Sequence, residues 1–165
     1  MKKVLDYLPT LKIRHVGILE LDDFYRWLKR WLKFRGYWAS ENNETLYSEE
    51  IHGEGSKLIE IKWETQKMQS SHVVGKINIE FVLVGVSTQK IPIEGAEVKV
   101  YKGDFELRIN ITVERVGEYK GLMGTMRRWY DDVINKSSTD GYISEVFEDG
   151  VALTSEIKQV FNQYA

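Results

Sequence analysis

The segment from Asp22 to Gly36, with the sequence DDFYRWLKRWLKFRG, constrains the fold more than any other part of the chain. Its apolar residues recur at spacings of three and four, so they share one side of a helix: Phe24, Trp27, Leu28, Trp31 and Leu32. Asp22 or Asp23 is suited to cap the start of this helix, and Gly36 to end it in the left-handed conformation. The pattern predicts an amphipathic helix over residues 22–36 whose aromatic side covers another layer of structure.

Alternating apolar and polar residues on either side of this helix predict the strands that it covers. The predicted strands span residues 10–20, 57–67, 73–86, 96–101 and 105–116. A further extended segment starts at Tyr37, turns at Asn42-Asn43 and continues through TLYSEEIH. A loop is expected over residues 87–95, and a tight turn at Lys102-Gly103-Asp104 joins the last two strands into a hairpin. Because the strands carry one apolar and one charged face, we predict a five- to six-stranded antiparallel sheet that is covered on one side.

From residue 118 the apolar period changes from two to that of a helix. Tyr119, Leu122, Met123, Met126, Tyr130 and Val133 form one stripe, which predicts a second helix over residues 118–135 that packs on the sheet. A linker, NKSSTDG, and a last helix with a candidate break at Asp149-Gly150 follow. The predicted fold is one α+β domain over residues 1–165. Residues 1–136 form the sheet with two helices, and residues 137–165 form an appended helical element that docks within the chain or on a neighbour.

The composition limits the class of protein. A chain of 165 residues has the size of one domain, and 42% apolar residues suffice for a sizeable core. No apolar run approaches the roughly 18–20 residues that cross a bilayer, and Asp6 and Pro9 interrupt the apolar segment that a signal peptide needs. We therefore expect no membrane span and no signal peptide, while cytoplasmic and extracellular or virion settings both stay open. There is no cysteine, which excludes disulfides, and the sequons at Asn43, Asn110 and Asn135 matter only in a secreted protein.

The net charge of −2 hides oppositely charged ends. Residues 1–36 hold nine Lys and Arg against four Asp and Glu, whereas residues 140–165 hold five Asp and Glu against one Lys. This polarity predicts either pairing of the first and last helices within one chain or head-to-tail contacts between copies. The intramolecular alternative is the one that a single small domain favours.

Catalytic and metal-binding motifs are missing from the sequence. His15, His52 and His72 fall in separate predicted elements and form no metal-binding spacing. The glutamates of the polar sheet face alternate with Lys and Arg, as in a solvated lattice of ion pairs: Glu60, Glu64, Glu80, Glu97, Glu106 and Glu114. The glycines at 53, 55, 121 and 124 lack a phosphate-loop pattern, and no nucleophile elbow occurs. The sequence therefore predicts no enzyme, no cofactor and no metal site.

The polar side of the first helix is the best candidate for contact with an anionic partner. It carries five basic residues, which are Arg26, Lys29, Arg30, Lys33 and Arg35. A pI of about 6.0 argues against a dedicated nucleic-acid-binding protein. A solvated or assembly-facing helix is favoured over nucleic acid, and nucleic acid over a membrane surface.

Three segments resemble a family of small proteins common in small-genome archaea. They are LKIRHVGILELDDFYRWLKRWLKFRGYWASE, the strand KLIEIKWETQK and the segment RRWYDDVI before the last helix. The shared marks are an acidic-capped aromatic helix that ends in R-G-Y and a strand that carries E-x-x-W. That family has no assigned activity, so the resemblance implies an archaeal setting and an ordered α+β domain, without site residues.

The order of elements is also similar to the helix-grip (START-like) fold of lipid- and polyketide-binding domains. In that fold a curved antiparallel sheet wraps a long C-terminal helix around an apolar cavity. This chain departs from the order, because one short helix stands where two are usual and an extra helix follows the long one.

The favoured function is a non-enzymatic, self-assembling structural protein, such as the subunit of a filament, tube or virion-like assembly, whose partners are copies of itself. Edge strands such as 37–51 can add to a neighbouring sheet. One alternative is a helix-grip module that binds a small molecule or lipid in a closed apolar cavity of about 300 Å³ or more. The cavity's candidate lining is Trp63, Phe81, Ile109, Met123 and Met126. A further alternative is contact with nucleic acid through the basic helix 22–36.

Overall fold

The computed structural model describes residues 3–39, 41–117, 120–133 and 136–164. Within these ranges it contains six strands and three α-helices: β1 (Lys3–Tyr7), β2 (Leu11–Leu19), α1 (Leu21–Arg35), β3 (Glu44–His52), β4 (Ser56–Met68), β5 (Val73–Ile93), β6 (Ala96–Arg115), α2 (Gly121–Val133) and α3 (Lys136–Asn162). A short 3-10 turn, Glu41–Asn43, precedes β3 where the sequence predicted strand and then turn. The predicted α+β class is confirmed.

All six strands belong to one antiparallel sheet in the order β1-β6-β5-β4-β3, with β2 also paired to β6. β1 and β2 lie end to end along the same edge of β6, where β1 pairs with residues 112–115 and β2 with residues 101–109. In the described ranges β3 pairs only with β4, so it forms the opposite edge of the sheet. The sheet therefore has two edges, one built from two short strands and one from β3.

One face of the sheet carries the core, as the alternation in β4, β5 and β6 predicts. The buried apolar side chains on this face include Ile59, Ile61, Trp63, Ile77, Ile79, Phe81, Leu83, Phe105, Leu107, Ile109, Ile111 and Val113. The intervening residues of β4, β5 and β6 point to the other face and include most of the charged side chains of these strands.

Helix α1 covers part of the core face and keeps its predicted end. Gly36 has a φ of 89°, and its N–H donates to the carbonyl oxygen of Lys33 at 3.1 Å. The predicted acidic cap is wrong, because Glu20 occupies the cap position without a side-chain cap bond. Asp22 and Asp23 lie in the first turn, where negative charge favours the positive end of the helix dipole.

The buried stripe of α1 is rotated slightly from the predicted one. Leu21, Phe24, Leu28 and Leu32 are buried, whereas Trp27 and Trp31 are only partly buried against the core. The large tryptophan rings therefore lie at the margin of the helix–sheet interface, and leucines fill its centre.

Helix α3 is the second cover of the sheet, which corrects the prediction that helix 118–135 packs there. Val146, Leu153, Ile157 and Phe161 of α3 are buried in the core, and the ring of Phe161 lies 5.2 Å from that of Phe24 in α1. The apolar residues of α2 are instead exposed. α3 also runs unbroken through residues 136–141 of the predicted linker and through Asp149-Gly150.

The predicted hairpin with a turn at Lys102-Gly103-Asp104 is also wrong. β6 is continuous through Gly103, and the turn joins β5 to β6 at Glu94-Gly95, where both residues have positive φ values of 50° and 80°. Gly103 serves close packing, because a Cβ there would lie 3.0 Å from a methyl group of Val86. Residues 87–93 of the predicted loop are thus strand, and only 94–95 form a turn. Residues 88–93 and 96–100 form a two-stranded ribbon that extends past β2 and β4.

Candidate assembly surface

Helix α2 presents its apolar side to solvent. Between 46% and 79% of the surface of each large apolar residue in this helix is exposed: Leu122, Met123, Met126, Trp129, Tyr130 and Val133. At 100° per residue these six side chains fall within about a third of the helix circumference. The surface they form is called the α2 stripe below.

Nearly all described side chains of α2 are exposed, and its few contacts with the rest of the protein involve the side opposite the stripe. Among residues 121–130 and 133, only Gly124 is half-buried, and it lies roughly opposite Met126 on the helix. Arg127, also outside the stripe, lines a pocket with residues of α3 and of the end of β6. An amphipathic helix normally turns its apolar side inward. α2 differs from α1 and α3 because its apolar side is left uncovered.

The exposed stripe makes α2 a candidate contact surface. A helix of 13 residues is only marginally stable in water by its own propensity, and most helices owe their stability to packing of the apolar side. Contiguous exposed apolar patches on soluble proteins commonly mark binding sites. Sequence reasoning found most of the stripe and its period but placed it against the sheet. Tyr119, which was assigned to the same stripe, lies outside the described residues.

The predicted anionic-partner face of α1 is partly used within the chain. Arg26, Lys29, Arg30 and Lys33 flank one open groove together with Asp23. The ammonium group of Lys29, however, lies 4.8 Å from the ring centre of Trp38 and 5.1 Å from that of Tyr25, which are cation–π distances.

Arg35 does not line that groove, because its guanidinium group contacts other residues of the chain. It pairs with the buried Asp149 and stacks on the ring of Trp31. The structure therefore leaves Arg26, Arg30 and Lys33 as the exposed part of the predicted basic face.

The residues proposed to line a ligand cavity are not brought together. Trp63, Phe81 and Ile109 are fully buried in the helix–sheet core. Met123 and Met126 lie on α2 with 79% and 59% of their surface exposed. These five residues do not enclose one space, so the geometry gives no support to the helix-grip alternative through this set.

The interface between α1 and the sheet contains a polar cluster that sequence reasoning missed. The carboxylate of Glu44 accepts hydrogen bonds from the Tyr25 hydroxyl and, at 2.9 Å, from the Trp63 indole N–H. Burial, and then the neighbouring carboxylate, raise the pKa of Tyr25 above its ordinary value. The cluster fixes the orientation of the central tryptophan, and nothing in its geometry exposes a reactive atom.

The charged face of the sheet is the ion-pair lattice that the sequence predicts. Lys76 lies 3.0 Å from Glu114, and Arg108 lies 2.8 Å from Glu106 and 3.8 Å from Glu80. The hydrogen bond from Arg108 holds the pKa of Glu106 below its usual range. Interleaved opposite charges of this kind stabilise cross-strand neighbours.

The described histidines lie apart from one another. His15 is buried with its Nε2 2.8 Å from the carbonyl oxygen of Ile18, whereas His52 is on the exposed edge strand β3. Among the residues that the structure describes, no group of three or more His, Cys, Asp or Glu is placed to hold a metal ion. No helix within the described ranges is long and apolar enough to cross a membrane.

No protein-family model matches this chain, and no curated protein matches it. The resemblances to an archaeal family and to the helix-grip fold thus stay predictions from the sequence. The function proposed next rests on the geometry of the chain itself.

Proposed function

We propose that this chain is a non-enzymatic, self-assembling structural protein whose copies bind one another through the α2 stripe. The observation that carries the proposal is the outward direction of six large apolar side chains on one short helix. Burying apolar surface contributes about 25 cal/mol per Å². When a second copy covers the stripe, this free energy stabilises the dimer, and the same packing stabilises α2.

A second copy suits this helix better than an anionic membrane surface. The C-terminal half of α2 contains RRWYDD, in which two positive residues are offset by two negative ones. The helix therefore has no excess of positive charge. Helices that bind anionic lipids instead carry an excess of Lys and Arg on the polar side.

The α2 stripe sets the kind of assembly that we expect. A 13-residue helix is about 20 Å long, and the stripe runs along one side of it. Pairing of α2 with α2 is symmetric and closes a dimer. Growth into a filament or tube needs a second surface, for which the outer edge of β3 is available in the described part of the chain.

Cysteine crosslinking tests this proposal directly, because the chain has no native cysteine. Met126→Cys places a thiol in the middle of the stripe, and Arg128→Cys places one 200° further around the same helix. With a short thiol-reactive crosslinker, we expect covalent dimers from Met126→Cys and few from Arg128→Cys. Circular dichroism of both variants verifies that they are folded.

Two results would contradict the proposal. Equal crosslinking of the two variants would show that the stripe is not the contact. Binding of labelled Met126→Cys protein to anionic vesicles, without crosslinked dimers, would assign the stripe to a membrane surface.

A further inference from the structure

A pocket of about 180 Å³ lies beneath the polar side of α2, at the end of the sheet where β4 turns into β5. Its described lining combines basic and hydroxyl side chains from four parts of the fold: Ser70, Ser71, His72, Val73, Arg115, Arg127, Ser138, Thr139 and Tyr142. No Asp or Glu occurs in this described lining. Pockets for drug-sized ligands measure about 300–1,000 Å³, so this one suits a group of a few atoms.

Arg115 is the deepest charge in the pocket. Only 6% of its surface is exposed, and burial of a guanidinium is costly unless anions or hydrogen-bond acceptors compensate it. Arg115 and Arg127 both have contacts within the chain. A guanidinium has five N–H donors in a planar fork, so it can serve a partner in the chain and an oxyanion together.

Hydroxyl groups complete a set of donors. The Oγ of Ser70 accepts the backbone N–H groups of His72 at 3.2 Å and of Val73 at 3.1 Å, and its own O–H can still donate. Ser138 and Thr139 lie in the first turn of α3, where the helix dipole adds positive potential. Two guanidinium groups and several hydroxyls around a small space match the acceptor oxygens of a phosphate group.

We propose that this pocket binds a phosphate group, either as the free ion or as the end of a small phosphate monoester. The bound oxyanion bridges Arg127 of α2 to Arg115 of β6 and to the first turn of α3. It thereby holds the polar side of α2 against the sheet and fixes the α2 stripe outward. This site is independent of self-assembly, since a monomeric protein would also contain it.

The test is calorimetric titration of the full chain with inorganic phosphate and, separately, with phenyl phosphate, at constant pH and ionic strength. Arg127→Gln removes a charge from the pocket lining, and Arg128→Gln removes the same charge from the next residue, which is not in the lining. Both arginines are exposed, so both variants are expected to fold. A hydrogen bond to a charged group contributes about 1.5–3 kcal/mol, so Arg127→Gln should weaken binding at least about tenfold.

Binding of either probe, weakened by Arg127→Gln but less than about twofold by Arg128→Gln, supports the site, and the tighter probe identifies the source of the phosphate group. Ser138→Ala removes a hydroxyl group that lines the pocket from α3 without changing the charge, and it should also weaken binding of the probe. Absence of heat with both probes would overturn the proposal. Equal weakening by Arg127→Gln and Arg128→Gln would also overturn it, because it would indicate attraction by the general charge of the helix.

Discussion

Arg35, the last residue of α1, donates a hydrogen bond to the carboxylate of Asp149 in α3 across 3.0 Å. The hydroxyl of Tyr37 donates to the other oxygen of the same carboxylate at 2.8 Å. Asp149 is 7% exposed, so the two donors compensate a charge that is nearly removed from water. This contact joins the positively charged beginning of the sequence to its negatively charged end within one chain, as the intramolecular alternative predicted.

Removing this carboxylate should destabilise the protein. We expect Asp149→Ala to lower the free energy of unfolding by about 2–4 kcal/mol, because Arg35 and Tyr37 lose a buried acceptor while Arg35 keeps part of its hydration. Urea unfolding followed by circular dichroism measures the change. Glu148→Ala, which removes an exposed neighbouring carboxylate, should stay within about 0.5 kcal/mol of the wild type. A similar value for both variants would show that the Arg35–Asp149 contact contributes little.

Alkaline pH should unfold the protein partly through Tyr37. Burial first, and then the hydrogen bond to Asp149, raise the pKa of this phenol above its ordinary value. The unfolded chain releases this proton near pH 10, whereas the folded chain retains it to higher pH. Above about pH 10 the folded state binds more protons than the unfolded state, so the free energy of unfolding falls as pH rises.

Tyr37→Phe removes this titration. Its stability should depend less on pH above about pH 10 than that of the wild type, although the variant starts from a lower value because Asp149 loses a donor. Unfolding at a series of pH values, with tyrosinate absorbance followed in parallel, measures the difference. Identical slopes for wild type and variant in this range would show that Tyr37 titrates normally in the folded state.

Close approach of α3 to the sheet depends on Gly150. A Cβ at this position would overlap the side chain of Ile111 in β6. We therefore expect Gly150→Ala to destabilise the protein by about 1–3 kcal/mol from overpacking. Gly141→Ala in the same helix meets no atom within 4 Å and should stabilise it by about 0.5–1 kcal/mol through helix propensity. Thermal unfolding separates the two, and a stabilising Gly150→Ala would mean that the helix shifts away from Ile111 without penalty.

The sequence predicted most of the sheet because its central strands have one buried face. Ile59, Ile61 and Trp63 alternate with charged residues, and this period of two survives in the structure. β1 gave no such signal, since of its five residues only Leu5 is even partly buried. Gly103 was misread as a turn because a glycine needed for close packing looks the same in sequence as one needed for positive φ.

The candidate surface could be predicted only in part. The period of three and four residues located the apolar stripe of α2, but periodicity does not tell whether a stripe faces the core or a partner. Both α2 and α3 carry an apolar stripe, but only α3 covers the sheet face beside α1. α3 occupies this place because Gly150 and Gly75 lack a Cβ and so allow the helix to approach the sheet closely. A contact between such distant segments has no local sequence signal.

Analytical ultracentrifugation of the wild type and two single variants over a wide concentration range tests self-association through α2 most directly. Met126→Glu places a charge in the middle of the stripe, and Thr125→Glu places the same charge on the adjacent residue outside it. We expect a wild-type mass that rises above the 19.3 kDa of one chain with concentration, and the same for Thr125→Glu. Met126→Glu should stay at 19.3 kDa with an unchanged circular dichroism spectrum. A wild type that remains at 19.3 kDa throughout, or a Met126→Glu variant that associates as the wild type does, would contradict assembly through this helix.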